Sequence, residues 1–132
     1  MQWNIRNDAP VYAQLIEHIT LAIITGEFPP GGKLPSVREL AADAGVNPNT
    51  MQRAFSELER DGLVQTQRTA GRTVTDDTAR IEQAKEKIAA ATIETFWEAM
   101  RRLGYGRAQA LALLREDTEA EERGVEHGDS GM

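Results

Sequence analysis

The chain has 132 residues, of which 40% are hydrophobic and 27% charged, and a net charge of −6. That length holds one core and a small appended unit. The absence of cysteine excludes a disulfide frame and a thiolate metal site, and no stretch is apolar enough to span a bilayer. The start shows neither the basic nor the apolar region of a signal peptide, so a cytoplasmic location is expected, on the nucleoid when bound.

Trp3 and Ile5 alternate with polar residues, which predicts a short strand. Asp8 and Pro10 signal a helix start. Tyr12, Leu15, Ile16, Ile19, Leu21, Ile23 and Ile24 give that helix a broad apolar face, and Gly26 ends it. Phe28 to Gly32 is a turn-rich connector.

Residues 33–54 hold two helix starts in close succession. Ser36 precedes Glu39 by the spacing of a capping box, in which the hydroxyl takes a helix N–H and the carboxylate reaches back to the cap's own N–H. Asn47 caps the second helix, with Pro48 at its first position. Between them Asp43 to Val46 form a turn, with Gly45 placed for a positive φ. A short helix, a glycine-containing turn and a second helix make a helix-turn-helix. On the second helix Met51, Ala54, Phe55 and Leu58 form an apolar stripe. Asn49, Thr50, Gln52 and Arg53 fill the rest of its first turns. Such residues can read base edges: Asn and Gln on adenine, Thr on a thymine methyl, Arg on guanine or phosphate.

Gly62 stops that helix. Leu63 to Gln67 read as a strand, Arg68 to Gly71 as a turn and Arg72 to Thr75 as a returning strand. A hairpin here is the wing of a winged helix-turn-helix, and Arg68 and Arg72 put cations at its tip. The acidic balance, net −2 in residues 1–76 and −4 in 77–132, weighs against DNA binding. Placement matters more: Lys33, Arg38, Arg53, Arg68 and Arg72 fall on the expected DNA side, while Glu57, Glu59 and Asp61 fall at the far end of the second helix. So small a basic footprint calls for a dimer.

The segment from Pro10 to about Thr75 resembles the N-terminal domain of GntR-family bacterial regulators. Pro10 to Gln14, Gly26, Lys33 to Ser36, Arg38, Leu40-Ala41, Gly45 to Thr50 and Glu57-Leu58-Glu59 with Gly62-Leu63 carry the resemblance. It implies that Arg38, the face from Asn49 to Arg53, and the wing contact operator DNA. The candidate DNA contacts are thus Lys33, Ser36, Arg38, Asn47, Asn49, Thr50, Gln52, Arg53, Arg68, Gly71 and Arg72. Two departures stand out. The wing, Ala70 to Thr75, is shorter than the family's and lacks its aromatic. Pro48 and Gln52 stand where some members have Arg.

From Thr78 to Leu103 a helical pattern runs unbroken. Its stripes include Ile81, Ala84, Ile88, Phe96 and Leu103 on one side and Ile93, Trp97 and Met100 beside it. Gly104 to Gly106 break it. A second helix carries Ala108, Leu111, Ala112 and Leu114 and ends near Thr118; Glu119 to Met132, acidic and Gly/Ser-containing, are expected to be disordered. Two helices cannot bury two stripes alone, so a second copy is expected against Ile88, Ile93, Phe96, Trp97 and Met100. The expected fold is mostly α with a small β-hairpin: a winged domain (1–76), a helical dimerisation hairpin (77–118) and a tail (119–132). A winged domain followed by only two helices resembles the YtrA branch of the family.

Nothing supports catalysis. His18 and His127 lack partners at metal-ligand spacing, no Gly-rich loop follows a strand, and Ser36 already has a capping role. No enzyme activity, cofactor or metal is expected. The expected function is a homodimeric DNA-binding regulator, a repressor on an inverted-repeat operator. The branch resemblance implies control of a transporter operon. Any small-molecule effector is expected at the dimer seam, against Trp97 and Met100. Two alternatives remain open: a DNA-binding protein with no effector, and an interaction module that recruits a partner through its helical hairpin.

Overall fold

The apolar spacing of residues 11–24 produces α1 (Val11–Ile24), which buries Leu15, Ile19 and Ile23 and leaves Leu21, on the opposite face, 40% exposed. The structure, a computed structural model, describes the backbone of residues 1–131 and the side chains of residues 1–124. Pro10 stands at the N-cap of α1 without a side-chain cap bond. Asp8 is not the cap: its carboxylate accepts instead from Arg6 Nε at 3.0 Å. The amide of the buried Gln14 orders the entry to the helix. It donates to the carbonyls of Arg6 (2.8 Å) and Ala9 (3.0 Å) and accepts the Arg6 N–H at 2.7 Å.

The strand expected at Trp3 and Ile5 does not form. Their alternation is real, but no neighbouring strand is there to pair with, and an isolated strand has no ladder to hold it. Trp3 and Ile5 instead pack, partly buried, on the core. Trp3 Nε1 donates to Asp43 at 2.8 Å.

Next come α2 (Val37–Ala44) and α3 (Pro48–Arg60). Leu40 and Ala41 of α2 and Met51, Ala54, Phe55 and Leu58 of α3 meet the α1 stripe in one closed core. Leu34, Leu63, Val64 and Val74 close it from the connector and the hairpin. Gly45 ends α2 at φ 71°, the left-handed conformation that an L side chain resists.

The hairpin is β1 (Val64–Gln67) and β2 (Gly71–Val74), antiparallel, with Val64 opposite Val74 and Gln67 opposite Gly71. β1 begins one residue later than the sequence reading and ends where expected, while β2 is shifted one residue earlier. Gly71, at φ 74°, joins the ladder instead of the turn, leaving a three-residue loop. The connector covers the other edge of β2. Leu34 N–H donates to Arg72 O and Val74 N–H to Gly32 O, each at 2.9 Å, so that edge is not left open.

Asp77 caps α4 (Thr78–Arg102), its carboxylate accepting from Ala79 N–H at 3.1 Å. The chain divides into two compact units, the first ending at Lys87 and the second starting at Ile88. The opening turns of α4 therefore go with the winged unit, with Ile81 and Ala84 packed on its core. A sequence boundary at residue 76 follows the linker and misses this.

In the second unit Leu103 to Gly106 separate α4 from α5 (Arg107–Gly131). Gln109 Oε1 accepts the Gly106 N–H at 2.9 Å, ordering the start of α5. The helix does not stop near Thr118. Glu119 to Arg123 continue it as exposed helix; these are strong helix formers, and nothing among them breaks the turn. Met132, at the end of the expected tail, lies outside the described residues, as do the side chains of 125–131. From Ile88 on, Ala110 is the one buried side chain among those described. Among the described residues no helix is long and apolar enough to cross a membrane.

Candidate nucleic-acid interface

Two capping bonds set the helix-turn-helix. Ser36 accepts from Glu39 N–H at 3.1 Å and Asn47 from Asn49 N–H at 2.8 Å. The return bond from Glu39 to the Ser36 N–H is not made among the described residues, so the capping box is half formed. The cap bonds use acceptors only. Each residue is exposed and retains donors for another partner. Removing either cap by substitution to alanine is expected to cost about 0.5–2 kcal/mol. Chemical denaturation of Ser36→Ala and Asn47→Ala checks this.

On α3 the stripe facing the core leaves Asn49, Gln52 and Arg53 exposed and Thr50 half-buried. Arg53 is held in place: its guanidinium lies 3.7 Å from the centroid of the Tyr12 ring, a cation–π stack that limits its rotamers. Arg38 on α2 and Arg68 in the hairpin turn are exposed, and neither makes an ion pair among the described residues. Lys33, Ser36, Gly71 and Arg72 line one open groove of about 710 Å³ between the start of α2 and the wing.

Arg72 is not a free tip cation. Its Nε donates to Glu59 Oε1 at 2.7 Å, and its guanidinium lies 5.3 Å from the Phe55 ring centroid. The same Oε1 accepts from the Thr66 hydroxyl at 3.0 Å. Glu59 lies at the far end of α3, as the sequence places it, and there it meets both strands of the wing. The bond from Arg72 holds its carboxyl below the usual value of 4.5, against an opposing push from burial. A carboxylate with a depressed folded-state pKa contributes stability above its unfolded pKa and loses it as pH falls through the lower folded value. The stability gap between the wild type and Glu59→Gln should therefore be present at neutral pH and close on acidification below about 4.5. Urea melts at stepped pH read it.

Sequence reading missed Tyr12, Glu59 and Thr66 as partners of the site. It also missed Arg80, whose guanidinium donates to Asp61 O at 3.2 Å. A Cβ at Gly62 would meet the end of the flexible Arg80 side chain, which can move aside; it is the φ of 79° that favours glycine there. All four pairings join different elements, the nearest in sequence being Thr66 and Glu59, and no local pattern signals them.

A helix-turn-helix with an exposed polar face on its second helix, followed by a hairpin, defines the winged helix-turn-helix class of DNA-binding domains. The family model for bacterial regulatory proteins, gntR family, matches residues 11–74. The chain belongs to the GntR family of bacterial transcriptional regulators. It is 36% identical over 114 residues to the uncharacterized HTH-type transcriptional regulator YhcF of Bacillus subtilis, covering 86% of this chain and 94% of that one. It is 42% identical over 72 residues to the HTH-type transcriptional repressor YtrA of the same organism, covering 54% and 55%. A solved GntR family transcriptional regulator from Listeria monocytogenes superposes with a TM-score of 0.77 at 38% identity, covering 85% of this chain and 98% of that one. The protein is accordingly a DNA-binding transcriptional regulator, and these relatives are regulators, not enzymes.

Proposed function

We propose that the protein is a homodimeric repressor that binds an inverted-repeat operator. The observation that carries the dimer is the second unit's lack of a core. From Ile88 on, one alanine is buried among the described side chains, while Ile93, Leu103, Tyr105, Leu111, Leu113 and Leu114 are 38–72% exposed. Helices expose this much apolar surface when another surface is to cover it. Ile93, Trp97 and Met100 follow one another at helical spacing, with Phe96 beside them and Ile88 further along. A second copy of the same unit offers the matching face. The repressor role is supported by similarity to YtrA, which is named a repressor. Control of a transporter operon is what the resemblance to that branch implies. Any small-molecule effector would sit at the seam against Trp97 and Met100 and act by favouring one dimer geometry over another.

In this reading α3 enters the major groove, and Asn49, Thr50, Gln52 and Arg53 meet base edges. Arg38, Lys33, Ser36, Asn47 and the wing residues Arg68, Gly71 and Arg72 meet the backbone. Arg38→Ala should weaken binding to every duplex. Asn49→Ala and Gln52→Ala should each cost about 1–3 kcal/mol, mainly on the cognate site. Titrations on cognate and random duplexes test the surface; affinities equal to wild type in all three variants would overturn it.

A further inference from the structure

One carboxylate oxygen holds both strands of the wing. Glu59 lies in the last turn of α3, and Thr66 of β1 and Arg72 of β2 are direct cross-strand partners. Glu59 Oε1 accepts from the Thr66 hydroxyl at 3.0 Å and from Arg72 Nε at 2.7 Å. One turn earlier on α3, the Phe55 ring lies 5.3 Å from the same guanidinium. The pair is half-shielded, with Arg72 and Glu59 side chains 26% and 34% exposed, so water screens it less than a surface pair. With Nε taken, the terminal N–H groups of Arg72 remain to bond elsewhere, and Arg72 lines the groove it shares with Lys33 and Ser36.

We propose that Glu59 is a positioning residue for DNA binding: it fixes the wing to α3 and turns the remaining donors of Arg72 toward a DNA phosphate in that groove. The inference rests on the reading of α3 and the groove as the DNA surface. It explains why an acidic side chain stands beside the DNA-facing elements, where its charge alone opposes binding.

That opposition gives the test its sign. Were Glu59 only a surface acid, removing its charge would leave DNA affinity unchanged or raise it. As a positioning residue, its removal lowers affinity. The full chain and its Glu59→Ala, Glu59→Gln, Arg72→Ala and Glu59→Ala/Arg72→Ala variants are titrated with a duplex selected from random DNA by the wild-type protein, at several salt concentrations. Hydrogen exchange of the free proteins is followed in parallel. Glu59→Ala should bind about tenfold more weakly, the scale of one charge-assisted hydrogen bond. Glu59→Gln, which keeps an acceptor, should lose less. Arg72→Ala should weaken binding and lower the salt slope by about one. The double variant should bind no worse than Arg72→Ala, because Glu59 acts through Arg72. Amides of residues 64–67 and 71–74 should exchange faster in Glu59→Ala and Glu59→Gln, with those of Met51 and Phe55 unchanged. Wild-type or tighter binding by both Glu59 variants, or additive losses in the double variant, overturns the proposal. Wild-type binding by Arg72→Ala would instead refute the groove as a phosphate site. In that case unchanged wing exchange in the Glu59 variants refutes the clamp as well.

Discussion

Ile93→Asp is expected to leave the protein monomeric at micromolar concentration and to cut its affinity for an inverted-repeat operator about 10²–10⁴-fold, the range lost when two linked contacts become one. Ile93 is 53% exposed on α4, so a polar replacement disturbs little within one chain. Against a partner's apolar face the same carboxylate would be buried without a counter-charge, which costs far more than any contact it makes. The winged unit has its own closed core and should remain folded. Sedimentation equilibrium gives the oligomeric state, and titrations on whole and half operators separate lost dimerisation from lost recognition. The variant should bind a half-site as well as the wild-type monomer does. A dimeric Ile93→Asp protein with full operator affinity would remove this face from the interface.

Phe55→Ala is expected to cost the winged unit about 3–5 kcal/mol, a large part of the stability of a small domain. The ring is fully buried at the centre of the core, among side chains from α1, α2, α3 and the hairpin. None of these can collapse into the space without dragging a helix. The ring also backs the Arg72 guanidinium, so the loss should extend from packing to wing order. Denaturant melts measure the first effect. Exchange rates at residues 71–74, compared with those of Leu58→Ala, isolate the second. Wild-type stability in Phe55→Ala would mean that the core is not organised around this ring.

These two residues also show which parts of the molecule the sequence discloses. The helix-turn-helix is legible because its determinants are local: the caps at Ser36 and Asn47, Pro48 at the first helical position, and the spacing that puts Phe55 on the core stripe. Each acts within a turn or two of chain. The apolar surplus of α4 is legible for the same reason, since a periodic face needs no partner to be counted. What was not legible depends on contacts between distant segments. Trp3 and Ile5 alternate as a strand would, yet no strand lies beside them. Arg53 and Arg72 read as free cations because nothing near them in sequence announces Tyr12 or Glu59. The unit boundary at Lys87 follows from Ile81 and Ala84 packing onto the winged core, which a linker-based division cannot foresee. The helix end at Thr118 was misplaced because acidic, polar composition suggests disorder, while Glu, Ala and Arg also favour a helix.

The chain has two tryptophans, and they fall in different units. The Trp3 ring lies 5.5 Å from that of His18. Trp97 stands 5.2 Å from Phe96, with the Arg107 guanidinium 5.0 Å from its centroid. Each indole therefore has its own surroundings, a histidine ring beside Trp3 and a phenyl ring and a guanidinium beside Trp97. With excitation selective for indole over Tyr12 and Tyr105, emission from Trp97→Phe would report on the N-terminal unit and that from Trp3→Phe on the C-terminal one. The two emission signals let melting of one and association of the other be timed separately, in the intact chain and without an added dye.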